Sequence, residues 1–145
     1  MIRKILLLSL FVLIVASCSK DTNVVNQPDN LERYNSQLFS NITITDNVKY
    51  GTNVTLGGIP TDLLMDIYQP TNDPEINRPL IILAHGGSFI SGNKTDMSSL
   101  ASFLAKSGYV VASINYRLID VSSPTQLHFK KAVMHAVADM KAAVR

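Results

Sequence analysis

Leu-Ile-Ile-Leu-Ala-His-Gly-Gly-Ser-Phe, residues 80–89, is the stretch from which the fold of this chain can be predicted. Its first five residues are apolar without a polar break, which is typical of a strand buried on both faces of a parallel sheet. The two glycines that follow place backbone N–H groups at the carboxyl end of the strand, where open α/β sheets bind ligands. The stretch therefore predicts an α/β fold with its functional site within residues 80–94.

The residues before this strand predict antiparallel strands. Residues 42–45 and 48–50 alternate apolar and polar side chains, which is typical of two half-buried strands. Gly57 and Gly58 mark a turn, and residues 64–68 form another short strand. We therefore expect the sheet to begin with antiparallel strands.

The residues after the central strand predict a βαβ unit. A helix should follow the loop 91–94, with Thr95 or Asp96 as its N-cap and Gly108 as the left-handed residue past its end. Residues 109–115 read as the next buried strand, parallel to the first after a right-handed crossover. The inner face of the helix is predicted to consist of three large apolar side chains, Leu100, Phe103 and Leu104.

A second helix is predicted from about Pro124 to the last residue, because proline suits a first helical turn. Its larger apolar residues recur at intervals of three and four. They should form one apolar stripe: Phe129, Val133, Val137, Met140 and Val144. Lys130, Lys131 and Lys141 lie off this stripe and are expected on a solvated face.

Length and composition restrict the class of protein. A chain of 145 residues forms one domain at most, and 46% hydrophobic with 17% charged residues is typical of a globular protein. The formal net charge of +2 comes from Arg3 and Lys4, since the rest of the chain carries 11 basic and 11 acidic residues. Nothing in this balance indicates nucleic acid as a partner.

The first 18 residues predict secretion and a lipid anchor. Arg3 and Lys4 precede an apolar segment that is too short to span a bilayer, and small residues follow it. Residues 15–18, Val-Ala-Ser-Cys, resemble the lipobox of bacterial lipoproteins, which implies lipid on Cys18 and attachment to a bacterial membrane, expected to be the outer membrane. An ordinary signal peptide beside an incidental cysteine is the alternative.

The chain is thus divided into three parts. Residues 1–17 are the expected lipoprotein signal peptide, residues 18–36 a polar tether, and residues 37–145 the domain. With a single cysteine, no intrachain disulfide can form.

Four segments together resemble the α/β-hydrolase family, most closely its acetyl-esterase and carboxylesterase branch. These segments are Asp66–Pro70, His85–Phe89, Ser91–Lys94 and Asn115–Leu118. The resemblance covers roughly residues 40–145. It implies an α/β fold class, namely the N-terminal part of an α/β-hydrolase sheet, with antiparallel strands, a βαβ unit and a further helix, and incomplete.

The resemblance also implies a site. The backbone N–H groups of Gly86 and Gly87 would form part of an oxyanion hole, His85 would hold the loop, and Ser88 stands where a third glycine is usual. Preorganised donors of this kind lower the barrier of ester cleavage by about 3–4 kcal/mol each. A plain glycine-rich turn is the alternative for this loop. No Gly-x-Ser-x-Gly occurs between Met1 and Arg145, so the nucleophile, its base and the orienting acid are expected elsewhere.

The remaining candidates are weaker. His128 and His135 lie seven residues apart on the last helix without carboxylate or cysteine partners, so they make a poor metal site. Arg117 is expected to brace the loop after its strand, with substrate binding as the alternative. We expect no metal and no cofactor.

These observations lead to a functional hypothesis. The chain is expected to be the front half of a membrane-anchored, serine-dependent hydrolase of carboxylic esters, inactive without its nucleophile half, with a small-molecule or acyl ester as substrate. The strand at 80–84 would then be an open sheet edge. A non-catalytic lipoprotein, used for binding or assembly, is the alternative from another class. A peptidase or polyester depolymerase of the same fold is the alternative among enzymes.

Overall fold

A computed structural model describes residues 32–145 of the protein. The predicted signal peptide, Cys18 and the tether as far as residue 31 lie outside the described residues. The described residues form four strands, two α-helices and one 3-10 turn, in this chain order: β1 (Ile42–Val54), β2 (Pro60–Pro70), β3 (Leu80–Ala84), the 3-10 turn (Lys94–Met97), α1 (Ser98–Lys106), β4 (Val110–Ile114) and α2 (Gln126–Ala143).

The strands form one mixed sheet in the order β1-β2-β4-β3. β2 pairs antiparallel with β1 and with β4, and β3 pairs parallel with β4. This arrangement confirms the α/β fold class with antiparallel strands first and a βαβ unit after them. Within residues 32–145, β3 lies at the open edge of the sheet, as the sequence predicts.

The two short strands predicted at 42–45 and 48–50 are in fact one strand, β1. Its pairing with β2 shifts register between Thr45 and Val48, around Asn47, whose φ is +56°. The backbone N–H of Asn47 donates to the carboxylate of Asp66 on β2 at 2.8 Å, so this N–H group is hydrogen-bonded although the register shifts here. The pairing of β1 with β2 continues after the shift.

β3 has the predicted bounds but is less buried than predicted. Leu80 is 49% exposed and the other four residues are half-buried, because the described helices cover this strand only in part. Its apolar sequence is thus typical of a buried strand. Among residues 32–145, however, no strand pairs with its outer edge, and its two faces are only partly covered.

The predicted inner face of α1 is wrong. The core cluster comprises Tyr68, Ala101, Ala105 and Val111. Leu100 and Phe103 are 44% and 52% exposed, and Leu104 packs only against the margin of the cluster. Small side chains face the sheet because they allow the helix to lie close to the strands.

The start of the helical segment also differs from the prediction. Asn93 is the cap: its side chain accepts the N–H of Thr95 at 2.7 Å, and the Asp96 carboxylate accepts the N–H of Asn93 at 2.8 Å. Thr95 and Asp96 therefore lie inside the first turn. Gly108 follows α1 with φ of +102°, as predicted.

α2 begins at Gln126, two residues after Pro124, which the sequence predicted in the first turn, and its N-cap is Thr125. Its buried face consists of Ala132, Ala136, Asp139 and Ala143. The predicted apolar stripe exists but lies largely exposed: Val133, Val137 and Val144 are 45%, 46% and 64% exposed. As in α1, alanine rather than the larger residues provides the close contact.

The last residues assigned to the tether belong to the folded domain. Arg33 is 6% exposed and forms an ion pair with Asp73. The backbone N–H of Tyr34 donates to the carbonyl of Ser107 at 2.9 Å. The boundary predicted from the polar composition of residues 32–36 is therefore wrong. Arg33 makes this segment look polar, yet its buried side chain anchors the segment to the domain.

Candidate active site

Residues 85–92, which follow β3, form a tight loop at the carboxyl end of the parallel strands. The backbone N–H groups of Ile90 and Ser91 both donate to the carbonyl of Gly87, at 3.0 and 3.1 Å, and close the turn. Ser88 and Phe89 have φ values of +54° and +63°, which L-residues rarely adopt. Ser88, the departure from the usual glycine, thus occupies a left-handed position.

The glycines of this loop have different roles. A Cβ on Gly87, whose φ is +107°, would lie 2.0 Å from the carbonyl oxygen of Ser91. A Cβ on Gly92 would lie 2.4 Å from Nδ1 of His85. A Cβ on Gly86 would meet no atom within 4 Å. Gly87 and Gly92 are therefore required by the loop itself, whereas Gly86 faces open space.

His85 lies beneath the loop, 4% exposed. Its Nδ1 is 2.8 Å from the carbonyl oxygen of Gly86, and its ring stacks on Tyr116 with centroids 4.5 Å apart. The Tyr116 phenol donates to the His85 carbonyl oxygen at 2.8 Å. His85 thus contacts the loop from the interior of the domain.

The backbone amide of Gly86 borders a cleft, and the amide of Gly87 follows it in the chain. Within residues 32–145, neither amide N–H donates a hydrogen bond. The cleft has a volume of about 350 Å³ and is lined by Ala84, His85, Gly86, Ser88, Phe89, Tyr116, Ala136 and Met140. Two adjacent N–H groups without protein acceptors beside a mostly apolar cleft can receive an anionic oxygen.

Polar contacts inside the domain connect the other three segments that carry the family resemblance. Nζ of Lys94 lies 2.7 and 2.8 Å from the two carboxylate oxygens of Asp66. The backbone N–H of Lys94 donates to Oδ1 of Asn115 at 2.6 Å, and Oγ of Ser113 donates to the Lys94 carbonyl at 2.6 Å. The segments 66–70, 91–94 and 115–118 therefore meet in one buried network.

Arg117 is a buried brace. It is 6% exposed, and its Nε and Nη2 donate to the carboxylate of Asp139 on α2 at 2.9 and 2.8 Å. Its backbone N–H donates to the same carboxylate at 3.0 Å, and Nη1 donates to the carbonyl of Val54 at 3.0 Å. These contacts occupy the guanidinium with protein acceptors, so the expected bracing role is the one observed. Sequence reasoning did not single out Asp139, because an acidic residue on an amphipathic helix is ordinarily a surface residue.

The two histidines of α2 have separate surroundings. Nδ1 of His128 accepts the backbone N–H of Thr125 at 3.0 Å and completes the helix cap. Burial, reinforced by the nearby Arg117 charge, lowers the pKa of His135 below 6.5. Residues 32–145 contain no cluster of three metal-ligating side chains. No helix in this part of the chain is both long enough and apolar enough to cross a membrane.

Comparison with known proteins places this site in a family. A sequence model of the BD-FAE family matches residues 65–145, more than half of the chain. The chain belongs to the BD-FAE family. The matched region contains β3, the loop 85–92, both helices and the buried network of Asp66, Lys94 and Asn115, so the site lies within the BD-FAE part of the chain.

The fold agrees with this assignment. The structure is similar to that of esterase B from Lactobacillus rhamnosis, with a TM-score of 0.54 and 21% identity, over 78% of this chain and 32% of that one. The likeness shows that the chain shares the α/β fold of that esterase. The chain spans about a third of the length of that esterase.

Two curated proteins share local sequence similarity with this BD-FAE member. It is 37% identical over 67 residues to a non-reducing polyketide synthase of Aspergillus novofumigatus, and 37% identical over 75 residues to the 5-methylorsellinic acid synthase of Aspergillus terreus. The matches cover 44% and 50% of this chain, and 3% of each synthase.

Proposed function

We propose that residues 37–145 supply the oxyanion-binding part of a hydrolase that cleaves carboxylic esters. The observation that carries the proposal is the pair of adjacent backbone N–H groups of Gly86 and Gly87, which have no acceptor among residues 32–145. Gly86 lines the cleft beyond β3. Membership of the BD-FAE family and the likeness to an esterase fold support the same reaction class.

The chemistry requires such donors. When a nucleophile attacks an ester, the carbonyl oxygen gains negative charge, and fixed N–H groups aimed at it stabilise the transition state more than the substrate. Each donor contributes about 3–4 kcal/mol. In this proposal the ester carbonyl lies in the cleft against Gly86 and Gly87, where Gly86 leaves the space that a side chain would occupy.

We propose further that residues encoded after Arg145 supply the nucleophile, its base and the acid. No Gly-x-Ser-x-Gly is present in the sequence, and β3 offers an unpaired edge among residues 32–145. Beside this edge runs an apolar groove of about 320 Å³, lined by Ile82, Val137, Met140, Lys141 and Val144. A further strand that paired with β3 would cover this groove and bring its carboxyl end next to the loop 85–92.

The coding sequence after Arg145 is the first test. A Gly-x-Ser-x-Gly within the next few dozen codons is expected. The intact product should then hydrolyse a short p-nitrophenyl ester, and changing that serine to alanine should abolish the activity. An immediate stop codon, with no hydrolysis by the product, would contradict the proposal and favour a binding role.

We propose that the protein is held at a bacterial membrane, the outer one, by lipid on Cys18. The Val-Ala-Ser-Cys sequence at residues 15–18 supports this placement. The intact protein should incorporate an alkyne-labelled fatty acid and sediment with membranes. A Cys18→Ala variant should lose the label, and equal labelling of both proteins would exclude Cys18 as the site.

A further inference from the structure

The loop that carries Gly86 and Gly87 needs external support to keep its shape. Ser88 and Phe89 are consecutive non-glycine residues in the left-handed region, with φ of +54° and +63°. Such backbone persists only where the surrounding structure over-determines it. The residues that hold it therefore determine where the two amides point.

The segment after β4 holds the loop at two points. The phenol of Tyr116 donates to the carbonyl of His85 at 2.8 Å, and the backbone N–H of Ile119 donates to the carbonyl of Phe89 at 2.7 Å. Tyr116 is 7% exposed, its ring stacks on His85, and it meets the Phe89 ring in a T-shaped arrangement with centroids 6.1 Å apart. The segment after β4 thus donates hydrogen bonds both to His85, the first residue of the loop, and to Phe89 at its strained centre.

Because the peptide bond is planar, a contact that fixes a carbonyl group also fixes the direction of the N–H group in the same peptide unit. The carbonyl of His85 and the N–H of Gly86 belong to one trans peptide unit and point in opposite directions. Tyr116 fixes that carbonyl from the interior, so the Gly86 N–H is turned outward. In the same way Nδ1 of His85 lies 2.8 Å from the carbonyl of Gly86, which turns the Gly87 N–H outward.

We propose that Tyr116 is the positioning residue that aims the Gly86 amide at the oxyanion, while His85 aims the Gly87 amide. This inference rests on the proposed ester hydrolysis and deepens it by assigning one supporting side chain to each donor. Burial raises the pKa of the Tyr116 phenol above its ordinary value of 10.0, so the phenol keeps the proton that it donates.

The test is Tyr116→Phe, which keeps the stacked ring and removes only the donor. Tyr50→Phe is a matched control, because the Tyr50 phenol also donates to a backbone carbonyl, but to that of Asn115 rather than to one in residues 85–92. In the intact protein, we expect Tyr116→Phe to lower kcat for a p-nitrophenyl ester roughly 10-fold, a part of the 10²–10³-fold effect of losing a whole oxyanion donor. KM should stay within about twofold, and Tyr50→Phe should keep the wild-type kcat.

A second measurement is independent of activity. The ¹⁵N order parameter of the Gly86 amide should fall from about 0.85, typical of rigid backbone, toward 0.6 in Tyr116→Phe and stay unchanged in Tyr50→Phe. If the protein hydrolyses no ester but the Gly86 amide loosens, the proposed function fails while the positioning role stands. If kcat and the Gly86 order parameter in Tyr116→Phe both equal those in Tyr50→Phe, the positioning role is overturned.

Discussion

Gly86 and Gly87 are neighbours in sequence, yet the structure predicts opposite consequences when each is changed to alanine. At Gly87 the backbone φ of +107° is unfavourable for any side chain, and the new Cβ would lie 2.0 Å from the carbonyl oxygen of Ser91. At Gly86 the new Cβ would meet nothing within 4 Å. Gly87→Ala should therefore disturb the folded structure, and Gly86→Ala should not.

The magnitude follows from the two effects at Gly87. The left-handed conformation of a residue with a Cβ costs roughly 1–2 kcal/mol, and forcing an extra carbon into occupied space costs about 1–3 kcal/mol more. We expect Gly87→Ala to lower the free energy of unfolding by about 2–5 kcal/mol. Gly86→Ala should cost under about 1 kcal/mol, as is usual for a substitution that meets no neighbour.

Urea unfolding of the intact protein, followed by circular dichroism, measures this difference directly. The assay for ester hydrolysis adds a second contrast, because the Gly86→Ala protein should fold normally and still lose activity as its methyl group enters the cleft. If the two variants unfolded at the same urea concentration, the description of the loop would be wrong. If Gly86→Ala kept full activity, the cleft would not be where the ester binds.

Three other predictions concern the rest of the domain. Asp139→Asn should destabilise the protein by about 3–5 kcal/mol in urea unfolding, because it leaves the buried guanidinium of Arg117 without its charged partner. Burial alone would raise the pKa of Asp73, but the hydrogen bond from Arg33 and other donors outweigh it and lower the pKa below 3.8. The Arg33–Asp73 pair should therefore stabilise the fold fully above about pH 4 and lose its effect as the pH falls further. The unfolding midpoints of the wild type and of Arg33→Met should differ at pH 7 and converge at pH 2–3. The isolated 145-residue chain should self-associate in analytical ultracentrifugation, since β3 is an open apolar edge among residues 32–145.

Each of these predictions has a control. Lys49 pairs with Asp62 on the surface, with both side chains 52% exposed, so Lys49→Met should leave the urea midpoint unchanged where Asp139→Asn moves it. For the pH series, a constant gap between wild type and Arg33→Met down to pH 2 would argue against the pair with Asp73. A monomeric, cooperatively unfolding 145-residue chain would argue against the need for a further strand.

The sequence predicted the sheet better than the faces of its helices. The apolar run of residues 80–84, followed by His85 and two glycines, predicts the bounds of β3 correctly, and the next apolar run fixes its parallel neighbour. Helix faces depend on packing distance, which composition does not reveal: Ala101 and Ala105 lie against the sheet while Phe103 is half exposed. A search for large apolar residues at helical spacing therefore finds the wrong face when alanine makes the contact.

The candidate site shows the same limit over longer distances. The glycines and His85 follow from the motif, but the partners that support them come from remote parts of the sequence. Tyr116 lies 31 positions after His85, and Asp139 lies 22 positions after Arg117. Nothing local marks a tyrosine hydroxyl as the partner of one carbonyl, since register between β3 and β4 decides which residues meet.

The geometry of the loop also indicates which part of the proposed enzyme would orient the amides of Gly86 and Gly87 and which part would supply the nucleophile. Ile90 and Ser91 close the loop on Gly87, and Tyr116 and Ile119 hold it from the segment that follows β4. These contacts are sufficient to set both amide directions without any residue that carries a nucleophile. In the proposed hydrolase, the two amides would therefore be preorganised by residues 85–119 before a nucleophile strand paired with β3, and preorganised donors stabilise the transition state without being rearranged during the reaction.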